Sequence, residues 1–148
     1  MTKLGMVYLD TSALLKRYMP EVNSEAFDTY FVAQAPAAIS RLSLVEIRCA
    51  LARKRRNRTI STELEKAAMD EVRTDIQDSA LVIHPGGDAH FAEAFHLIDR
   101  LVEIPLRSLD ALHLAIACSL DVRELATADA VMRQAAQALG MNVTYFGN

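Results

Sequence analysis

Short apolar runs punctuate this chain at regular intervals: Met6–Leu9, Ala37–Ile39, Leu81–Ile83, Glu124–Thr127 and Val143–Phe146. Each is too brief for a buried helix. None alternates polar with apolar residues as a strand with one solvated face does, so they read as strands covered on both faces. Helical patterns fill the intervals, and parallel strands need crossovers of about that length. The expected fold class is therefore α/β: a three-layer α/β/α arrangement around a central, mainly parallel sheet of about five strands, in one domain spanning 1–148.

The intervals have legible stops. Thr11 to Met19 reads as a short helix ended by Pro20, and Ser24 to Gln34 as a second, broken at Ala35-Pro36. Ser43-Leu44-Val45-Glu46 opens a third, with Leu44, Val45, Ile47, Ala50 and Leu51 as its buried side. A fourth runs from Thr62 to about Asp78 and presents Leu64, Ala67, Ala68, Val72 and Ile76 on one face. Asp88 is expected to cap a fifth, reaching about Val102. Ser108 starts the most apolar helix, Leu109 to Leu120, which should be central, and Ala130 to Leu139 is the last, with Gly140 as its stop.

The first run ends abruptly in a carboxylate, Asp10. In open parallel sheets the carboxyl ends of the strands form the ligand-binding edge. Asp129 also follows a strand end, Glu46 opens the helix after a strand, and Asp110 opens the central helix. Each acid has a plain structural reading: dipole complement for Asp10 and Asp110, N-cap for Asp129, and for Glu46 a capping box with Ser43. Jointly they converge on one sheet edge. Four carboxylates gathered there repel one another unless a cation is present, and Mg²⁺ or Mn²⁺ suits an all-carboxylate donor set. Such a site supports metal-assisted hydrolysis of a phosphodiester.

The segment Tyr8-Leu9-Asp10-Thr11-Ser12-Ala13-Leu14-Leu15-Lys16-Arg17-Tyr18 resembles the opening of PIN-domain proteins, specifically VapC-type toxin ribonucleases. Ser43-x-Val45-Glu46, Arg107-Ser108-Leu109-Asp110-Ala111-Leu112-His113 and Ala126-Thr127-Ala128-Asp129 resemble the family's other blocks, in order and spacing. The match is weakest over residues 57 to 106. The resemblance implies that Asp10, Glu46, Asp110 and Asp129 are metal-binding and catalytic, and that Ser12 and Thr127 are hydroxyl contacts near them. It implies an endoribonuclease that hydrolyses RNA with a metal-activated water and leaves 5′-phosphate and 3′-hydroxyl ends. It further implies a cytoplasmic homodimeric toxin neutralised by a small cognate antitoxin.

The net charge of −3 excludes overall basicity as the RNA signal. The distribution says more: Arg48, Arg53, Lys54, Arg55, Arg56 and Arg58 form an acid-free run that either meets RNA phosphates, docks an acidic antitoxin segment, or is a solvated helix end. Lys16 and Arg17 are either phosphate contacts or surface charges. His113, three residues after Asp110, reads as a hydrogen-bonded helix residue beside the site; His84, His90 and His96 have no ligand spacing. Cys49 and Cys118 read as buried small hydrophobes in a reducing compartment. No run is long enough to span a membrane, and the N-terminus, one lysine (Lys3) and an apolar run cut by Asp10, is a first strand rather than a signal peptide.

Other chemistries on such a sheet fit less well. An aspartate-nucleophile phosphatase wants a second Asp where Ser12 stands, and a receiver domain wants an Asp where the third strand runs into His84-Pro85. The remaining alternative is a non-cleaving PIN-like module that binds RNA or protein.

Overall fold

The computed structural model describes residues 5–148, so Lys3 lies outside the described residues. In chain order the elements are β1 (Val7–Leu9), α1 (Thr11–Tyr18), α2 (Ser24–Gln34), β2 (Ala37–Ser40), α3 (Arg41–Arg56), α4 (Thr62–Gln77), β3 (Leu81–His84), α5 (Asp88–Arg100), α6 (Ser108–Leu120), β4 (Glu124–Thr127), α7 (Ala130–Ala138) and β5 (Val143–Tyr145). The strands form one sheet in the order β3-β2-β1-β4-β5. Every pairing is parallel.

Strand alternation sorts the core into two layers. Val7 and Leu9 point to one face of the sheet, where α1 to α4 supply Leu14, Phe27, Phe31, Ile47, Leu51 and Val72. Tyr8 and Leu125 point to the other, against α5, α6 and α7. Seven consecutive residues of α6, Ala111 to Ala117, are buried. Over that stretch the helix offers no face to solvent.

The strand order places the reversal of winding direction at β1 and β4. The chain moves outward from β1 through β2 to β3, then returns to lay β4 on the other side of β1. Asp10 follows the first of these two strands and Asp129 the second, and the Asp10 N–H donates to the Ala126 carbonyl at 2.9 Å. The crevice expected at such a switch point thus has an acid from each of its flanking strands.

Several local expectations are corrected. α3 begins at Arg41, with Ser40 as N-cap and the Ser43 hydroxyl accepting from the Ser40 N–H at 3.2 Å. Glu46 therefore lies beyond the first turn and caps nothing, while Val45, expected in the core, is 64% exposed. Gly87, not Asp88, precedes α5, and the helix stops at Arg100. On α4 the buried positions are Glu65, Ala68, Val72 and Asp75, and Leu64 is exposed. The rotation has an electrostatic cause: Asp75 accepts from Arg17 and from the Tyr18 hydroxyl (2.7 Å each), and Glu65 pairs with Arg48 (2.9 Å) and Arg55 (2.6 Å). Both cysteines are exposed and free. No described helix is long and apolar enough to cross a membrane.

Candidate active site

Asp10, Glu46, Asp110 and Asp129 line one open cleft of about 310 Å³, together with Thr11, Ser12, Cys49, Arg53 and Arg107. A larger, shallower depression of about 610 Å³ lies on the outer side of α3, lined by Leu44, Val45, Arg48, Cys49 and Ala52. It carries no acid.

Asp10 is held from below. Its Oδ2 accepts from the Ser12 hydroxyl and from the Thr127 hydroxyl, at 2.7 Å each. Those two hydroxyls are themselves committed: Ser12 Oγ accepts from the Ala128 N–H and Thr127 Oγ1 from the Asp129 N–H. Burial is the largest influence on the Asp10 carboxyl and leaves its pKa raised, although the charge of His113 and both hydroxyl bonds oppose it.

Glu46 is held from the side. Its Oε1 accepts from the Thr11 hydroxyl at 2.7 Å and contacts His113 Nε2 at 2.5 Å. A carboxylate only accepts, so Nε2 carries a proton. The opposite ring nitrogen, Nδ1, lies 2.7 Å from the Tyr8 hydroxyl, and His113 is completely buried. A continuous line thus runs from the β1 core through the α6 imidazole to the α3 carboxylate. Burial pushes Glu46 up, but the hydrogen bond and charge of His113, with the Thr11 bond, bring it below its ordinary range. For His113 burial works downward, and the Glu46 bond and Asp10 charge leave it raised.

Asp129 is the N-cap of α7, its Oδ1 accepting from the Val131 and Met132 N–H groups. Asp110 differs from the other three. Its Oδ2 is buried without a hydrogen-bond partner among the described residues. Burial, reinforced by the charges of Asp10 and Asp129, raises its pKa to about 6. The nearest cation is Arg107, which approaches Asp110 Oδ2 at 3.6 Å through Nε and Asp129 Oδ2 at 3.7 Å through Nη2.

In Asp10, Glu46 and Asp129, then, one oxygen takes the protein's hydrogen bonds and the other is left to the cleft. That arrangement suits single-oxygen ligation of a hard cation, and the orphaned Asp110 oxygen is what such an ion would satisfy. Among the described residues no three His, Cys, Asp or Glu side chains close around a metal position by themselves. An open acid cleft of this kind suits a hard divalent cation that keeps part of its water shell, rather than one enclosed in a protein cage.

The other candidates are distributed as follows. Ser12 and Thr127 sit beneath Asp10 as described. Lys16 is buried, and its Nζ donates to the Val22 carbonyl at 2.6 Å and to Glu21. Arg17 holds Asp75 with two nitrogens and stacks over Phe31. In the basic run, Arg48 and Arg55 hold Glu65 and Lys54 stands 3.9 Å from Glu21. Arg53, Arg56 and Arg58 have no ion pair among the described residues, and of the run only Arg53 lines the acid cleft. Sequence reasoning missed Thr11 and Arg107. Thr11 looked like an ordinary helix start, and the proximity of Arg107 to Asp129 is set only by tertiary structure.

Residues 7–138 match the family model for the PIN domain. The chain is 32% identical over 142 residues to Ribonuclease VapC46 of Mycobacterium tuberculosis, covering 95% of this chain and 97% of that protein. Among solved structures it is similar to VapC20 of M. tuberculosis, described as a Sarcin-Ricin loop cleaving toxin, with a TM-score of 0.69 and 16% identity over 91% of this chain and 95% of the other. It is also similar to VapBC2 from Rickettsia felis, solved bound to a DNA fragment from its promoter, with a TM-score of 0.66 and 16% identity over 95% and 99% of the two chains. The structural likenesses establish a shared fold. The family match and the extended sequence identity go further, and the acid cleft lies within the matched region: this chain belongs to the PIN domain family.

Proposed function

We propose that this protein is a divalent-metal-dependent endoribonuclease, the toxin of a toxin–antitoxin pair, and that RNA is cut at the Asp10, Glu46, Asp110 and Asp129 cleft. The observation that carries the reading is the convergence of four acids from four separate segments on one cleft, three of them with one oxygen tied and one left over. These acids would hold Mg²⁺ or Mn²⁺, which would supply positive charge to the phosphate oxygens. The chain's own residues do the positioning. Ser12 and Thr127 orient Asp10, while Thr11 and His113 orient Glu46. Arg53, on the rim, faces the RNA backbone and contributes affinity without reading sequence.

The name of the M. tuberculosis relative, a ribonuclease, supports the substrate class. Two surfaces support the partners. The apolar depression on α3 beside Arg48 suits an amphipathic segment of the antitoxin. Phe91, Phe95, Ile98 and Val102 form an exposed stripe along α5 and just beyond it, opposite the buried Ala94 and Leu97. Spacings of four and three residues keep Phe91, Phe95 and Ile98 on one helical face, with Val102 just past its end, which suits a second copy in a homodimer. Two exposed free thiols fit a reducing cytoplasm.

The test is cleavage of a mixed RNA pool by purified, antitoxin-free protein in Mg²⁺, Mn²⁺ and EDTA, beside Asp10→Asn. Discrete cuts that need metal and vanish in the variant are expected. Metal-independent cutting, or cutting that survives in Asp10→Asn, overturns the assignment of the cleft.

A further inference from the structure

The four acids are not left to repel one another across open solvent. Arg107 lies over the Asp110 and Asp129 half of the cleft, where each acid has an oxygen without a hydrogen bond. Its guanidinium reaches Asp110 Oδ2 (3.6 Å) and Asp129 Oδ2 (3.7 Å) at once. The Asp110 oxygen is the buried atom with no hydrogen bond, and the Asp129 oxygen is the one its N-cap role leaves over. Arg107 therefore addresses the two oxygens that are left for a cation on this side.

Nothing comparable anchors Arg107 in place. It is the N-cap residue of α6, yet its side chain makes no capping bond, and that side chain is 80% exposed. Both separations exceed ordinary charge-assisted hydrogen-bond lengths, so the guanidinium hovers rather than locks. A residue needed only to build the fold is normally held better than this. Lys16, itself buried and bonded to the Val22 carbonyl, and Arg17, bonded through two nitrogens to the buried Asp75, show what a structural cation looks like in the same protein.

We propose that Arg107 is a built-in counter-ion that competes with the divalent cation for Asp110 and Asp129, and must swing off these acids when the cation binds. This rests on the reading of the cleft as a metal site. Arg107 is thereby a positioning residue that sets how tightly the site holds its ion. A displaced guanidinium on the rim is also free to take an RNA phosphate, so the cation and an anionic substrate draw it the same way and their binding is mutually reinforcing.

The test is titration of the whole protein with Mn²⁺ by calorimetry, comparing wild type with Arg107→Gln, Arg107→Met and Arg107→Lys, and with Asp110→Asn as the site control. Both uncharged variants are expected to bind Mn²⁺ roughly three- to tenfold more tightly at low salt, the combined worth of two exposed ion pairs. The gain should shrink in 0.5 M KCl, where such pairs are screened. Lysine keeps the charge but lacks the fork that spans two carboxylates, so it should fall between. Unfolding temperatures close to wild type show that the variants are folded, and two uncharged replacements guard against a defect peculiar to one. Equal or weaker Mn²⁺ binding by both uncharged variants overturns the competition while leaving the metal site intact. Absence of Mn²⁺ binding in wild type and variants alike overturns the metal reading itself. Unchanged binding in Asp110→Asn moves the site away from this acid and overturns the proposal.

Discussion

The two halves of the acid cleft are built on opposite principles. On the Asp10 and Glu46 side, each carboxylate has one oxygen fixed by two short contacts, from the buried Thr11, Thr127 and His113 and the half-buried Ser12. On the Asp110 and Asp129 side, one acid is a half-buried helix cap, the other has a buried oxygen with no hydrogen bond, and the nearest cation is a loose arginine. The first half is preorganised and the second yields. Preorganisation avoids the cost of orienting these carboxylates when a ligand binds. The yielding half lets the protein fold without one.

The comparison breaks most easily at the rigid half. Asp10→Asn and Glu46→Gln keep hydrogen-bond acceptors for Ser12, Thr127, Thr11 and His113, so both should unfold near the wild-type temperature. Cleavage and Mn²⁺ binding should nevertheless fall by on the order of 100-fold or more, because the charge is gone. A large stability loss with intact cleavage would make these acids structural.

His113→Leu comes next. It strands the Tyr8 hydroxyl and Glu46 Oε1 in a buried setting, a loss of about 2–3 kcal/mol in urea unfolding, with cleavage down roughly 10- to 100-fold through a misaligned Glu46. If folding and cleavage are both unaffected, the Tyr8, His113 and Glu46 line supports nothing.

The yielding half should respond in the other direction. Asp110 has a folded-state pKa of about 6, above its ordinary 3.8. The folded protein therefore holds that proton more tightly than the unfolded chain does, and the associated stability, present below about pH 4, is lost as pH rises through 6. Asp110→Asn should remove this loss and stabilise the metal-free protein at pH 8 by about 1–3 kcal/mol. Denaturant titrations at pH 4, 6 and 8 check it; a variant no more stable at pH 8 than wild type means that Asp110 is not strained.

Ser12→Ala is the smallest. It removes one of two hydroxyls from Asp10 and should cost about 0.5–1.5 kcal/mol with cleavage reduced a few-fold. A loss as large as that of His113→Leu would erase the distinction between a doubly supported acid and a relay.

The sequence made the strand ends legible because an apolar run stopped by an acid has few other meanings, and Asp10 and Asp129 were readable for that reason. Glu46 was harder. Ser43-x-x-Glu46 has the spacing of a capping box, but the helix starts earlier, at Arg41, and Ser40 with Ser43 does the capping. Composition could not reveal that Lys16 is buried, because a lysine in an amphipathic helix is normally turned outward; here the Val22 carbonyl and Glu21 take its charge. The acid face of α4 escapes pattern reading for a similar reason, since Glu65 is buried against two arginines of α3, and Asp75 against Arg17 and the Tyr18 hydroxyl of α1. What pattern reading missed in each case was a polar partner distant in sequence.

The placement of β4 against β1 has a consequence in time. Tyr8 pairs in register with Leu125 across the sheet, and Asp129 stands just beyond that strand. A chain emerging from the ribosome can complete β1, α1 and α3 early, but the partner strand and the fourth acid come only after residue 120. Contacts separated this widely in sequence form late. Until then Asp10 lacks the Thr127 hydroxyl that orients it, and the growing chain carries the opening acids without the completed acid cleft beside the translation machinery that is making it.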